Sequence, residues 1–186
     1  MTTILTLLAG MALMLALVVA VQRYARFPAQ TPQDYAGMEP AFDIRQHLSG
    51  PMTCEGVIYG PMGRITSRFT ANMHGHWDGD SGRLEEHFRY DSGTVQDREW
   101  RLRLQSDGRI RAEADDLVRA GIGTQKGAAV RLLYTIRLPE SAGGHALDVT
   151  DWLYLVDDKT IVNRSQFRKY GIKVAELVAT MRKVEE

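Results

Sequence analysis

Glu86 is the residue whose type and setting point most directly to chemistry. It stands in the run Arg83–Tyr90 (RLEEHFRY), where Leu84, Glu86, Phe88 and Tyr90 alternate with Arg83, Glu85, His87 and Arg89. Residues two apart in a strand share a face, so Glu86 is a carboxylate among apolar neighbours on a face that points inward. Such a group must pair, collect hydrogen-bond donors or hold a proton. Tyr134, Tyr154 and Asn163 are the expected donors. An inward carboxylate serves as a polar anchor for a ligand head group or as a general acid or base. The plainer account is a structural hydrogen-bond network near one end of a barrel.

Other constellations carry less. Trp77, Trp100, Trp152 and Tyr154 either line an apolar cavity or fill it as core. His74 and His76 lie two apart and, with Asp78 or His87, present metal-ligand types; on the polar face of a strand, two solvated histidines are the simpler expectation, and no metal is assigned. Asp148 and Lys169 read as a strand-end ion pair rather than a catalytic pair. The lone cysteine, Cys54, cannot form an internal disulfide and reads as a small buried hydrophobe. No Ser–His–Asp spacing, phosphate loop, zinc motif or nucleotide fingerprint is present. The sequence therefore leans against an enzyme and calls for no cofactor.

The elements that must position these residues are strands. From Gly50 onward, short alternating runs are separated by turn signals every eight to twelve residues, the signature of an all-β sandwich or barrel. Ile65, Ser67, Phe69, Ala71, Met73 and Trp77 share one face of the cleanest run. Trp100, Leu102 and Leu104 face inward on the next but one, and Val130, Leu132, Tyr134 and Ile136 on a later one. Asp107–Gly108 marks a tight hairpin. Ala114–Gly127, with three glycines, is a bend, a bulge or a short strand pair. A second hairpin spans Asp148–Gly171 about the turn Asp157–Lys159. Pairing about that turn sets Val156 opposite Ile161, Tyr154 opposite Asn163, Trp152 opposite Ser165 and Asp148 opposite Lys169. Trp152, Tyr154, Asn163 and Ser165 then look inward, with Asp151 and Arg164 outside or at a seam. Ile172–Lys183 has good helix propensity, but closure of a barrel requires a strand there.

Before the strands lies Thr2–Val21, which contains no charged residue. Twenty residues at helical rise match a bilayer core of roughly 30 Å, and a retained anchor is preferred over a signal peptide. Arg23 and Arg26 follow it with nothing basic before, which votes for a cytoplasmic main domain. Residues 1–24 are thus the transmembrane anchor. Residues 25–41 are a proline-broken tether, long enough to hold a domain clear of the lipid. Residues 42–186 are the barrel domain, with Phe42–Leu48 as a helical turn or an extended plug. Basic and acidic residues number 23 each, which argues against nucleic acid as the main partner. Oligomeric state is not legible.

Gly75–His76–Trp77 looks like the G-x-W signature of lipocalin-type barrels. Longer elements carry a more specific match: Glu86-x-Phe88-x-Tyr90-Asp91-x-Gly93, Trp100, Ala114–Asp115–Asp116, Ala120–Gly121, Gly127–Ala128, Tyr134, Asp151–Trp152–Leu153–Tyr154, Asn163–Arg164 and Lys169–Tyr170–Gly171. In order and spacing these resemble an uncharacterised bacterial family of lipocalin-like proteins, domain of unknown function 3833, over roughly Phe42–Met181. The resemblance implies an antiparallel calycin-like barrel of about ten strands in a bacterial envelope, periplasmic to the inner membrane, and brings no reaction or ligand. The chain lacks that family's lipobox cysteine. The expectation is a membrane-anchored barrel binding a lipid or other small apolar molecule, with Trp77, Glu86, Trp100, Tyr134, Trp152, Tyr154 and Asn163 as candidate contacts. The alternatives are a filled-barrel interaction module of the envelope and an enzyme working through Glu86.

Overall fold

Residues 2–24 and 27–184 are described by the computed structural model of the chain. Ten antiparallel strands follow one another as a meander and close into a barrel. They are β1 Gly50–Tyr59, β2 Ile65–Asp78, β3 Ser81–Tyr90, β4 Val95–Leu104, β5 Arg109–Glu113, β6 Leu117–Lys126, β7 Ala129–Arg137, β8 Ala146–Asp157, β9 Thr160–Lys169 and β10 Ile172–Lys183. Every strand pairs with its chain neighbours, and β1 closes on β10 from Met52↔Lys183 to Tyr59↔Glu176. Ile172–Lys183 is a strand despite its local propensity. The β1 and β9 edges offer it backbone partners along its full length, and its apolar positions alternate into the core. Ala114–Gly127 resolves into a tight turn and the single strand β6, with two register shifts against β7.

The N-terminal helix α1, Thr2–Tyr24, carries a stretch long and apolar enough to cross a membrane or to serve as a signal sequence, and none of that stretch is buried. Arg26, one of the two residues bearing on orientation, lies outside the described residues. The proline-rich segment does not hang free. Phe27 and Tyr35 pack on the outer wall against Ala129, Trp152 and Tyr154. Arg164 lies over the Phe27 ring at 4.8 Å. The Tyr35 carbonyl then crosses Gly127 so closely that a β-carbon there would stand 1.7 Å from it. Beyond it, Phe42 donates its N–H to the Gly127 carbonyl at 2.8 Å.

The chain next enters the barrel. The short helix α2, Ile44–His47, is capped by the Asp43 side chain. It buries Phe42, Ile44 and Leu48 among Met52, Leu84, Leu104, Ile110, Val130 and Ile161. This plug sits tightly on β2. A β-carbon at Gly75 would lie 1.7 Å from the Leu48 carbonyl oxygen, and the Trp77 indole N–H donates to that oxygen at 3.0 Å. One half of the barrel is therefore filled by the chain's own N-terminal segment.

The β8–β9 hairpin differs from the expected register. Asp157 stands opposite Thr160, but a bulge between Leu155 and Asp157 shifts the rest by one. Leu155 faces Ile161, Leu153 faces Asn163, Asp151 faces Ser165 and Asp148 faces Arg168. Because side chains alternate with a period of two, one extra residue, Val156, turns over the whole strand. Leu147, Val149, Asp151, Leu153 and Leu155 look into the barrel, while Trp152 and Tyr154 look out under the N-terminal strap. Tyr154 and Asn163 are not partners, and the Asp148–Lys169 pair is replaced by a hydrogen bond from the Thr135 hydroxyl to Asp148 at 2.9 Å.

Candidate functional site

The unplugged half of the barrel holds a cavity of about 260 Å³. Its walls are apolar for the most part, with Ile58, Phe69, Met73, Phe88, Trp100, Leu177 and Met181 among them. Its polar residues gather around Glu86. At the barrel's end it is bordered by Tyr90, Gln96 and the β7–β8 connection Arg137–Pro139. A smaller space of about 60 Å³ lies between Glu86 and the plug residues Ile44 and Leu48.

Strand pairing explains why the polar residues meet. Glu86 on β3 stands directly opposite Arg98 on β4, and Arg98 shares its parity with Trp100, Leu102 and Leu104. The guanidinium nevertheless turns away. It donates to Asp116 at 3.1 Å and stacks over the Trp100 ring at 4.1 Å. Its nearest approach to Glu86 Oε2 is 3.9 Å, too long for a hydrogen bond. Across the cavity, Asp151 on β8 accepts from Asn163 Nδ2 at 2.5 Å, Ser165 Oγ at 2.7 Å and the Tyr134 hydroxyl at 3.3 Å.

These surroundings set two carboxylates apart. Asp151 is buried, and burial lifts its pKa against the pull of Ser165, Asn163 and Arg98. Glu86 is 8% exposed, and its Oε2 has no hydrogen-bond partner among the described residues. Burial pushes its pKa up to about 7, with Asp151 and Asp116 acting in the same sense and Arg98 opposing them. A buried carboxylate with an unmet oxygen costs free energy unless protonated or supplied with a donor. The neighbouring Cys54 is buried and in no disulfide. Burial pushes its thiol up to about 12, so it carries little thiolate at neutral pH.

Of the residues singled out in the sequence, Glu86, Trp100, Tyr134 and Asn163 line this cavity. Trp77, Trp152 and Tyr154 do not. Trp77 packs on Gly82 at the plugged end and holds Leu48. Trp152 is 0% exposed on the outside of the wall, stacked on Tyr154 and covered by Tyr35. Tyr154 donates its hydroxyl to Gln30 at 2.8 Å. His74 and His76 stack at 4.2 Å on the outer surface, and no group of three potential metal ligands forms among the described residues. Arg98, Asp116, Asp151 and Ser165 are the site residues that the sequence left unmarked. Arg98 was accessible: counting back from the Asp91–Gly93 turn pairs it with Glu86. Ser165 was expected to look inward and does; Asp151, expected outside, was hidden behind the bulge.

Solved structures share this architecture at low sequence identity. An S-type phycobiliprotein lyase from Guillardia theta superposes with a TM-score of 0.61 at 10% identity, covering 84% of this chain and 99% of its own. Rv2717c from M. tuberculosis does so with a TM-score of 0.57 at 15% identity, covering 80% and 99%. A protein of unknown function of the DUF3598 family from Nostoc punctiforme has a TM-score of 0.54 at 11% identity, covering 78% of this chain and 51% of its own. At such identities the likeness concerns the fold. No curated protein matches the chain in sequence. Residues 23–183 match the model of DUF3833, a family of proteins of unknown function, and the chain belongs to that family.

Proposed function

We propose that the chain is a membrane-anchored binding protein of the bacterial envelope whose barrel takes up a small, largely apolar ligand in the open half. The observation that carries this reading is the cavity of about 260 Å³, apolar for the most part, with one unmet oxygen of a buried carboxylate in its wall. It exceeds the roughly 150 Å³ that holds a benzene in an engineered apolar cavity and approaches the lower bound of about 300 Å³ for drug-sized sites. Trp100, Tyr134 and Glu86 are its ligand contacts, with Asn163 holding Asp151 behind them. The plugged half argues for a filled interaction module only on its own side; the other half is hollow.

The membrane part of the reading is supported by the apolar α1 stretch and by the exposed Met62, Ile65, Val95, Tyr170 and Ile172 around the unplugged end. Apolar side chains at the mouth suit loading from a lipid surface. The family resemblance favours the periplasmic side and the two arginines the cytoplasmic side; reporter fusions at the C-terminus separate them. Ligand binding is tested on the full chain in nanodiscs with the neutral fluorophore N-phenyl-1-naphthylamine, empty nanodiscs serving as the control. Saturable uptake at one site per chain, weakened by Trp100→Ala, is expected. Uptake no greater than that of the empty nanodiscs, together with native mass spectra free of any co-purified apolar molecule, overturns the reading.

A further inference from the structure

The chemistry of the cavity also bears on which head group it accepts. Three carboxylates line it, from Glu86, Asp116 and Asp151, against the buried guanidinium of Arg98 and, at the mouth, that of Arg137. The Arg98 guanidinium is already committed. It is hydrogen-bonded to Asp116 and stacked between Trp100 and the Tyr134 ring, 5.9 Å away. Asp151 accepts from Asn163, Ser165 and Tyr134, so both its oxygens have donors. Among the described residues, Glu86 Oε2 is the one buried side-chain acceptor left without a donor, nine-tenths buried and facing both the main cavity and the small space beneath it. A ligand carboxylate entering here meets three carboxylates, with the Arg98 guanidinium turned to Asp116 and Arg137 standing only at the mouth. An ammonium or other N–H group meets an acceptor with nothing else to bind.

We infer that the cavity selects amphiphiles whose head is cationic or donates hydrogen bonds, and rejects those with an anionic head. This rests on the cavity being the binding site proposed above. Glu86 is the residue that receives the head, and the apolar wall of Phe69, Phe88, Leu177 and Met181 receives the tail. The groups facing Glu86 are Cys54 on β1, Tyr90 on β3, Arg98 on β4, Asp116 in the β5–β6 turn, Tyr134 on β7 and Asp151 on β8, with Arg137 at the mouth. Burial pushes the Glu86 carboxyl up to about 7, so selection for a cation strengthens from pH 6 to pH 8 as that carboxyl loses its proton.

Three ligands of one tail length separate the possibilities: hexylamine, hexanol and hexanoate. Met73 and Met181 line the cavity, so methyl NMR of ¹³C-labelled methionine in the full chain in nanodiscs reports occupancy there and is blind to partition into lipid. Hexylamine is expected to bind at least about tenfold more tightly than the other two at pH 8, the size of one charge-assisted hydrogen bond. Glu86→Gln is expected to lose that preference and Glu86→Asp to keep it. Hexanoate binding as tightly as hexylamine, or a preference that survives in Glu86→Gln, overturns the selectivity and leaves the binding site standing. Failure of all three ligands to move either methyl signal overturns both.

Discussion

At the scale of single residues, the structure turns on where an acid is placed rather than on a catalytic motif. Parity alone set Glu86 inward, since Leu84 and Phe88 leave its face no other direction. It could not show the acid's partner, because the Arg98 side chain has a choice that only three-dimensional packing decides. It takes Asp116 and the Trp100 face and leaves Glu86 Oε2 unmet. The consequence is a pH-dependent stability. From the usual 4.5 up to about 7, the folded chain retains a proton on Glu86 that the unfolded chain has lost. Stability therefore falls as pH rises through that window, by roughly 3 kcal/mol in all. Glutamine keeps the shape without the ionisation. Thermal melts of Glu86→Gln should match wild type near pH 5 and lie roughly 5–10 °C higher at pH 8, with Asp151 leaving a residual slope in both. Parallel pH dependences in the two proteins would show that Glu86 is not the group responsible.

Among the elements, the N-terminal segment departs furthest from what composition suggests. A proline-rich, polar stretch reads as a tether, yet from Phe27 it forms a strap on the outer wall, and the expected helical turn or plug at Phe42–Leu48 follows as a helical turn that is itself the plug. Its apolar residues are too widely spaced for any period to reveal them, and their partners lie far along the chain, at Gly75, Gly127 and Trp152. The glycines are the checkable part. At Gly75 an alanine methyl would fall on the Leu48 carbonyl, a backbone atom held by Trp77 that has no easy way to yield. Gly75→Ala should expel the plug and expose Phe42, Ile44 and Leu48, at a cost of at least about 3 kcal/mol. Hydrogen exchange over residues 42–48 should rise sharply, and the urea midpoint should drop. Unchanged protection of that segment would mean that β2 shifts to accommodate the methyl. The β8–β9 hairpin teaches the same lesson in reverse. Its strands were legible to within a residue or two, and its faces were not, because one bulge at Val156 inverts them.

For the molecule as a whole, closure is the governing fact. A ten-stranded meander leaves no exposed edge only because β10 joins β1 to β9. A chain ending at Gly171 should lose cooperative unfolding and aggregate through its two bare edges; a soluble truncated chain with a single sharp transition would refute that. Closure also separates the two halves of the interior, one filled by α2 and one hollow, and so decides that there is a cavity at all. The sequence by itself determined the all-β class, the number and order of strands, the apolar N-terminal stretch and the inward direction of Glu86, because these follow from local periodicity and from the run length of apolar residues. Only the tertiary structure decided the register of β8 on β9, the outward burial of Trp152, the seating of the plug and the isolation of the Glu86 carboxylate. Each depends on contacts between residues distant in the chain, and on single-residue bulges that leave no trace in an alternating pattern.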